Sequence, residues 1–555
     1  MTQTRTPSPI DALAENYFED LLKLAPEEAT MLGRPGVETL YRDYSPAGRE
    51  AIAELHRDTL AQLNELEPVD SVDRVTVEAM RERLGVELAL HETGRTELNN
   101  LASDAHGIRM VLELMPQSTD EDFTHIAGRL QNIPAALEQY WESLQDSRAK
   151  GQVAAVRQVK AVAAQAASWA QPDGALSTLL TAAQTAGASA AVEEQVRRGV
   201  ESAAGSYQRF AERLTEQLLP DAPERDAVGA ELYQLYSQSF TGARIDLEET
   251  YAWGLEELAR IVAAQEQVAE QISPGASVEE AKELLNADPA RVIHGTEALR
   301  EWMQRLSDSA VADLRDTHFA IPSPMDQLEC RIAPTQDGGV YYTSPSDDFS
   351  RPGTMWWSVP PEDTEFTTWA ETTTVYHEGV PGHHLQIGTA VYVKDQLNSW
   401  RRHLANTSGF AEGWALYAEQ LMTELGYLDD PGDRMGMLDM QRMRAARVVF
   451  DIGVHCGFQA PAEWGAEVWT PEVGREFLRA HLPISEAQLD FEFTRYLGWP
   501  GQAPSYKVGQ RIIEQIRADR EAAQASAFDL KEFHTELLEL GGLGLDTLRF
   551  AMGQR

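Results

Sequence analysis

Apolar positions recur at helical spacing along most of this chain. From about residue 10 to residue 225, amphipathic segments alternate with short breaks at Gly, Pro and Asn, the pattern of packed helices. Ser8-Pro9 puts a cap before a first-turn proline, and Ser277-x-x-Glu280, Ser485-x-x-Gln488 and Asp529-x-x-Glu532 read as capping boxes. The Ala-rich stretch from Ala154 to Ala170 favours tightly packed helices. No fixed-period repeat is present, which argues against a solenoid. One region alternates instead. LECRIAP (328–334) and VYYTS (340–344) flank Asp337-Gly338-Gly339, a hairpin signal, and MWWSV (355–359) supplies a third strand. Helical spacing then returns to the end. The fold class expected is mainly α, two-lobed, with one small sheet beside the segment ETTTVYHEGVPGHHLQ (371–386).

Length changes this picture only by dividing it. At 555 residues the chain exceeds a single hydrophobic core. The break at Pro220, Asp221, Ala222 and Pro223 divides it into an N-terminal helical lobe, 1–225, and a catalytic helical lobe, 226–555. A net charge of −41 repels phosphate backbones and anionic lipid, so no nucleic-acid or membrane partner is expected. The acidity serves solubility, or a preference for cationic substrates. Cys330 and Cys456 sit among apolar residues and read as buried, reduced thiols. No apolar run approaches the ~18–20 residues that span a bilayer, and MTQTRTPSPIDALAENYF has no apolar signal core. These features predict a cytoplasmic protein.

Three of the 13 histidines fall within His377 to His384, and Glu378 follows the first. Imidazoles and carboxylates are ordinary zinc ligands, and an adjacent glutamate can act as base on a water. The spacing is not the His-Glu-x-x-His of a straight zinc-binding helix. On such a helix His384 would share the face of His377 but lie about 10 Å along the axis, and His383 would face elsewhere. Pro381-Gly382 permits a deviation. A two-residue bulge there brings one histidine back beside His377; the alternative is a pair of capping or buried histidines at a kink. In SGFAEGWALYAEQL (408–421), Glu412 and Glu419 share a helix face. Glu412, 29 residues beyond His383 among Phe410, Ala411, Gly413 and Trp414, is the candidate third ligand. Glu419 is a candidate partner to the site or a surface charge.

HEGVPGHHLQ followed by EGWALYAE resembles the bacterial domain-of-unknown-function family 885, grouped with zincin-type, gluzincin-like metallopeptidases. PEEATMLG (26–33), RVVFDIGVH (447–455) and YLGWPGQAPSYKVG (496–509) extend the resemblance over nearly the whole chain. The family is similar to the thimet-oligopeptidase and Taq-carboxypeptidase groups, helical enzymes with deep clefts that cut short peptides. That resemblance implies zinc as cofactor and a short peptide as substrate. It maps the family's Gly-His pair onto Gly382-His383 and its later glutamate onto Glu412, with His384 the alternative second ligand because two extra residues precede Gly382. Tyr506, in a Gly/Pro-rich stretch, is the candidate oxyanion donor, against an ordinary packed tyrosine. Arg495 and Tyr496 are further candidates for binding substrate. Asp451 and His455, four apart in an apolar run, read as partners to the metal ligands or as a mutually satisfied buried pair. Tyr341–Ser344 or Met355–Val359 can add substrate as a strand, given an exposed edge. The reaction expected is hydrolysis of a peptide amide. A zinc hydrolase of a non-peptide amide, or a non-catalytic helical binding protein with a degenerate metal motif, are the alternatives.

Overall fold

The computed structural model describes residues 5–333, 339–465 and 468–553. Helices begin where the caps predict. Ser8 Oγ accepts from the amides of Ile10 and Asp11, and Asp11 returns a bond to Ser8 N at 2.8 Å, opening helix α1 (Pro9–Leu24). Reciprocal boxes also form at Ser277–Glu280 and Ser485–Gln488, whereas at Asp529 the recorded bond is the cap's acceptance from Glu532 N. Each such bond satisfies an amide that the first helical turn leaves unpaired.

Buried apolar side chains form two large clusters. One lies within 44–218 and centres on helices α3 (Asp120–Ala149) and α4 (Ala190–Arg213). Those helices approach closely because Gly199 faces Leu130, where an added Cβ would stand 2.8 Å from Leu130 Cβ. The other joins residues of 10–84, from α1 and α2 (Ser71–Glu92), to residues of 233–552. Polar ties reinforce that union: Asn398 Nδ2 donates to Asp11 Oδ1 at 3.2 Å and Arg401 Nη1 to Thr76 Oγ1 at 3.2 Å.

The small sheet is present, but its pairing differs from the hairpin expected. Strands β2 (Leu328–Ile332) and β3 (Val340–Thr343) do not pair with each other. Between them lies β4 (Gly353–Trp357), parallel to β2 and antiparallel to β3. A local turn signal says that the chain can reverse, not which strand it pairs with. Strand β4 has the most buried face, with Met355 and Trp357 inside, and apolar burial puts it in the centre. The turn residues Asp337 and Gly338 lie outside the described residues. A separate antiparallel pair, β1 (Val292–His294) with β5 (Glu365–Thr367), leads into the motif. The central place of β4 removes Met355–Trp357 as a docking edge, while β3 pairs on one side only among the described residues. Cys330 is buried and Cys456 half-buried, and both are free.

Candidate metal centre

The histidine motif is split between two helices. Helix α5 (Thr368–Glu378) ends on Glu378, and α6 (His383–Tyr392) begins on His383. The interruption is larger than a bulge. Pro381 has no amide to donate, and it biases the residue before it away from helical backbone. Gly382 N donates instead to Tyr376 O at 3.1 Å, and His384 N to Gly379 O at 3.1 Å. A Cβ on Gly382 would lie 1.9 Å from His377 O, so only glycine permits this return. Trp414 Nε1 holds the loop from outside, donating to Pro381 O at 2.9 Å. The return sets the His383 ring against His377, centroids 4.8 Å apart and nearly perpendicular.

Glu412 arrives on α7 (Ser408–Glu424). This helix crosses α9 (Ser505–Gln524) at three glycines: a Cβ at Gly413 would meet the Gly509 carbonyl carbon at 2.4 Å, and one at Gly509 would meet Gly409 O at 1.9 Å. The crossing brings Glu412 and Tyr506 to one cavity. Glu412 Oε2 lies 3.3 Å from His377 Nε2 and 3.7 Å from His383 Nε2. One donor atom from each of the three residues falls within 4.8 Å of the others. Two turns along α7, the fully buried Glu419 accepts from His377 Nδ1 at 2.7 Å, and Gln441 Nε2 reaches Glu419 Oε2 at 3.5 Å. With its Nδ1 proton directed at Glu419, His377 presents Nε2 to the cluster.

The electrostatics describe a place for a cation. Burial alone would lower the pKa of His377, but hydrogen bonds to Glu412 and Glu419 outweigh it and raise the value to about 10. Burial pushes Glu412 up, and its close contacts with His377 and His383 bring it well below the usual carboxylate range. Glu378 is raised by burial, against the pull of His383 and His377. Its carboxylate makes no hydrogen bond among the described residues and opens on a cavity of about 680 Å³. Tyr506 lines the same cavity, its hydroxyl pushed up to about 12 by burial and by Glu412. Sequence reading missed three further lining residues. Glu371, raised to about 7 by burial, stands seven residues before Glu378 on one helical face. Arg444 and Arg447 project from α8 (Pro431–Cys456), and their signal was a pair of arginines inside an apolar run.

Residues 26–552 match the family described as "Bacterial protein of unknown function (DUF885)". The chain belongs to this family. Two solved structures share its fold. A "putative lipoprotein" from Colwellia psychrerythraea has a TM-score of 0.84 and 22% identity, over 98% of both chains. A "putative lipoprotein of unknown function" from Shewanella oneidensis has a TM-score of 0.73 and 17% identity, over 98% of this chain and 100% of its own. No curated protein matches. The cytoplasmic placement expected from the sequence is corrected here, because both of these structures are described as putative lipoproteins. No helix among the described residues is long and apolar enough to cross a bilayer.

Other candidate residues of this DUF885 chain stand apart from the cluster. His384 has both ring nitrogens engaged, Nε2 with Met325 O at 2.8 Å and Nδ1 with Tyr342 OH at 3.0 Å. Arg495 and Tyr496 are absent from the cavity lining. Arg495 pairs with Glu492 and Gln502, both at 3.2 Å, while the buried Tyr496 hydroxyl accepts from Arg447 Nε at 2.6 Å. Asp451 and His455 do not touch the metal ligands, because they lie 7 and 11 residues beyond Arg444, about 10 Å or more further along α8. Asp451 Oδ2 accepts from Tyr233 OH at 2.7 Å and Gly501 N at 2.8 Å, and His455 Nε2 bonds Tyr496 O at 3.0 Å. They are not a hydrogen-bonded pair either, being 3.9 Å apart at closest. Their role is to tie α8 to its neighbours.

Burial raises the Asp451 carboxyl from its ordinary 3.8 to about 7. The unfolded chain therefore gives up this proton more readily than the folded one. Between about pH 4 and pH 7 the carboxyl makes stability fall as pH rises. Asp451→Asn should remove that slope from a series of denaturant titrations while keeping both accepted bonds. Loss of bound metal in this variant would contradict the separation from the site.

Proposed function

We propose that this chain is a zinc-dependent hydrolase that cleaves short peptides. The observation that carries the reading is the convergence of His377, His383 and Glu412 donors within 4.8 Å beside an unpaired buried carboxylate at Glu378. Two imidazoles and a carboxylate suit zinc with a position left open, and Glu419 behind His377 is the support that such histidines have. Bound there, zinc would supply Lewis acidity toward a carbonyl and acidify a water.

The chain's own groups then divide the work. His377, His383 and Glu412 would hold the ion, and Glu419 accepts the hydrogen bond from His377 Nδ1. Glu378 receives the proton of the attacking water on its carboxylate and returns it to the nitrogen of the departing amine. Burial supports that role, since a raised pKa brings a carboxylate closer to the working pH of a general base. Tyr506 donates its hydroxyl proton in a hydrogen bond to the carbonyl oxygen as negative charge builds there. A cavity of about 680 Å³ admits a few extended residues and excludes a folded domain.

The purified protein should hold about one zinc per chain, and chelation should abolish peptide hydrolysis while leaving the helical circular-dichroism signal intact. Clusters this large do not depend on one ion for folding. Full activity in metal-free protein would sink the zinc reading.

A further inference from the structure

Arg444 enters the cavity from α8 and is only 6% exposed. Its Nε and Nη1 are buried and have no hydrogen-bond partner among the described residues. Its Nη2 lies 3.9 Å from Glu419 Oε1, beyond hydrogen-bond length. Arg447, one turn later on the same wall, is committed: Nε donates to Tyr496 OH at 2.6 Å and Nη2 to Glu492 Oε2 at 3.2 Å. A buried guanidinium with unfilled donors is costly, because each lost contact with water is uncompensated. A carboxylate suits such a group, accepting along the Nε–Nη2 or the Nη1–Nη2 edge, each of which carries one unfilled donor. The rest of the cavity disfavours an anion, since Glu371, Glu378 and Glu412 share it. Of the cations lining it, Lys282 is paired with Asp439 and Arg447 with Glu492, which leaves Arg444 as the place for an anionic group.

We propose that Arg444 anchors the C-terminal carboxylate of the substrate, so that peptides are trimmed from that end. The trimming rests on the peptidase reading above; the anchor does not. A terminal carboxylate is selected over an Asp or Glu side chain because the guanidinium is nearly enclosed and sits one side chain from the cluster, through Glu419 at 3.9 Å and then His377 at 2.7 Å. Since an extended residue spans about 3.3–3.6 Å, a carboxylate held there presents one of the last peptide bonds to Glu378. Met440, Met443 and Ile484 line the same space and offer an apolar surface to the terminal side chain.

The test uses the full chain, chelated to prevent turnover, and three dansylated peptides: Gly-Ala-Phe as the free acid, its C-terminal amide, and Gly-Glu-Phe amide. Fluorescence titration should show the free acid binding at least about 10-fold tighter than either amide, as expected for loss of one side of a buried charge pair. In Arg444→Gln the preference should vanish, while Arg444→Lys keeps part of it. Equal binding of acid and amide by the unaltered protein would overturn the anchor without reference to any variant. Tight binding of Gly-Glu-Phe amide would overturn the C-terminal assignment. Acid-selective binding with no cleavage after zinc is restored would remove the peptidase reading and leave the anchor standing. Cleavage of both forms with equal affinity would do the reverse.

Discussion

Glu378→Gln should keep its zinc and its fold and lose on the order of 10³ in kcat, within the range a positioned general base contributes. The carboxylate is buried, makes no hydrogen bond among the described residues, and is raised in pKa by that burial. Glutamine fills the same volume, but it cannot take a proton. Stability should hold or rise slightly, because an unpaired buried carboxylate costs more than an amide. KM should change little, since the interaction lost belongs to the transition state. The measurements are metal analysis, thermal unfolding and initial rates on a short peptide. Activity within about tenfold of the unaltered protein would exclude Glu378 as the base, given the contribution expected of one.

The two adjacent histidines should separate as sharply. His383→Ala removes one of three donors and should weaken zinc binding by well over 100-fold, more than the 10–100-fold typical of losing a supporting residue. His384→Ala should keep the metal and lose stability. It strands Met325 O and Tyr342 OH, bonded now at 2.8 and 3.0 Å, and leaves a cavity, for a loss of about 2–3 kcal/mol. Chelator competition reads the first effect and the unfolding midpoint the second. Zinc loss in His384→Ala, with zinc retained in His383→Ala, would reverse the assignment.

These contrasts turn on a contact that spacing along the chain does not contain. His383 and His384 are equally placed in sequence, and neither meets His377 on a straight helix. The choice is made by the return of Gly382 N to Tyr376 O, by the absence of a Cβ at Gly382, and by Trp414 closing the loop from another helix. Glu419 shows the same limit. Its place on the Glu412 face was legible; that its carboxylate reaches His377 Nδ1 was not, since that depends on how α7 packs against α5. Arg444 was illegible for another reason. An arginine in an apolar run signals burial, but whether its donors are filled is a question about every neighbour at once.

From the sequence alone came the mainly helical class, the caps that open helices, the family, and the small sheet just ahead of the motif. All are local signals: periodicity, a hydroxyl or carboxylate three residues before its amide, β-branched and aromatic runs, and a motif string. Tertiary structure decided the rest. It put β4 between β2 and β3 because Met355 and Trp357 had to be covered, and it set Asp451 and His455 further along α8 from the cluster, bonded to Tyr233, Gly501 and Tyr496. It also joined residues of 10–84 to the same apolar cluster as 233–552. Chain proximity says which groups can meet cheaply. Burial of apolar surface, and the demand that each buried polar group find a partner, decide which do.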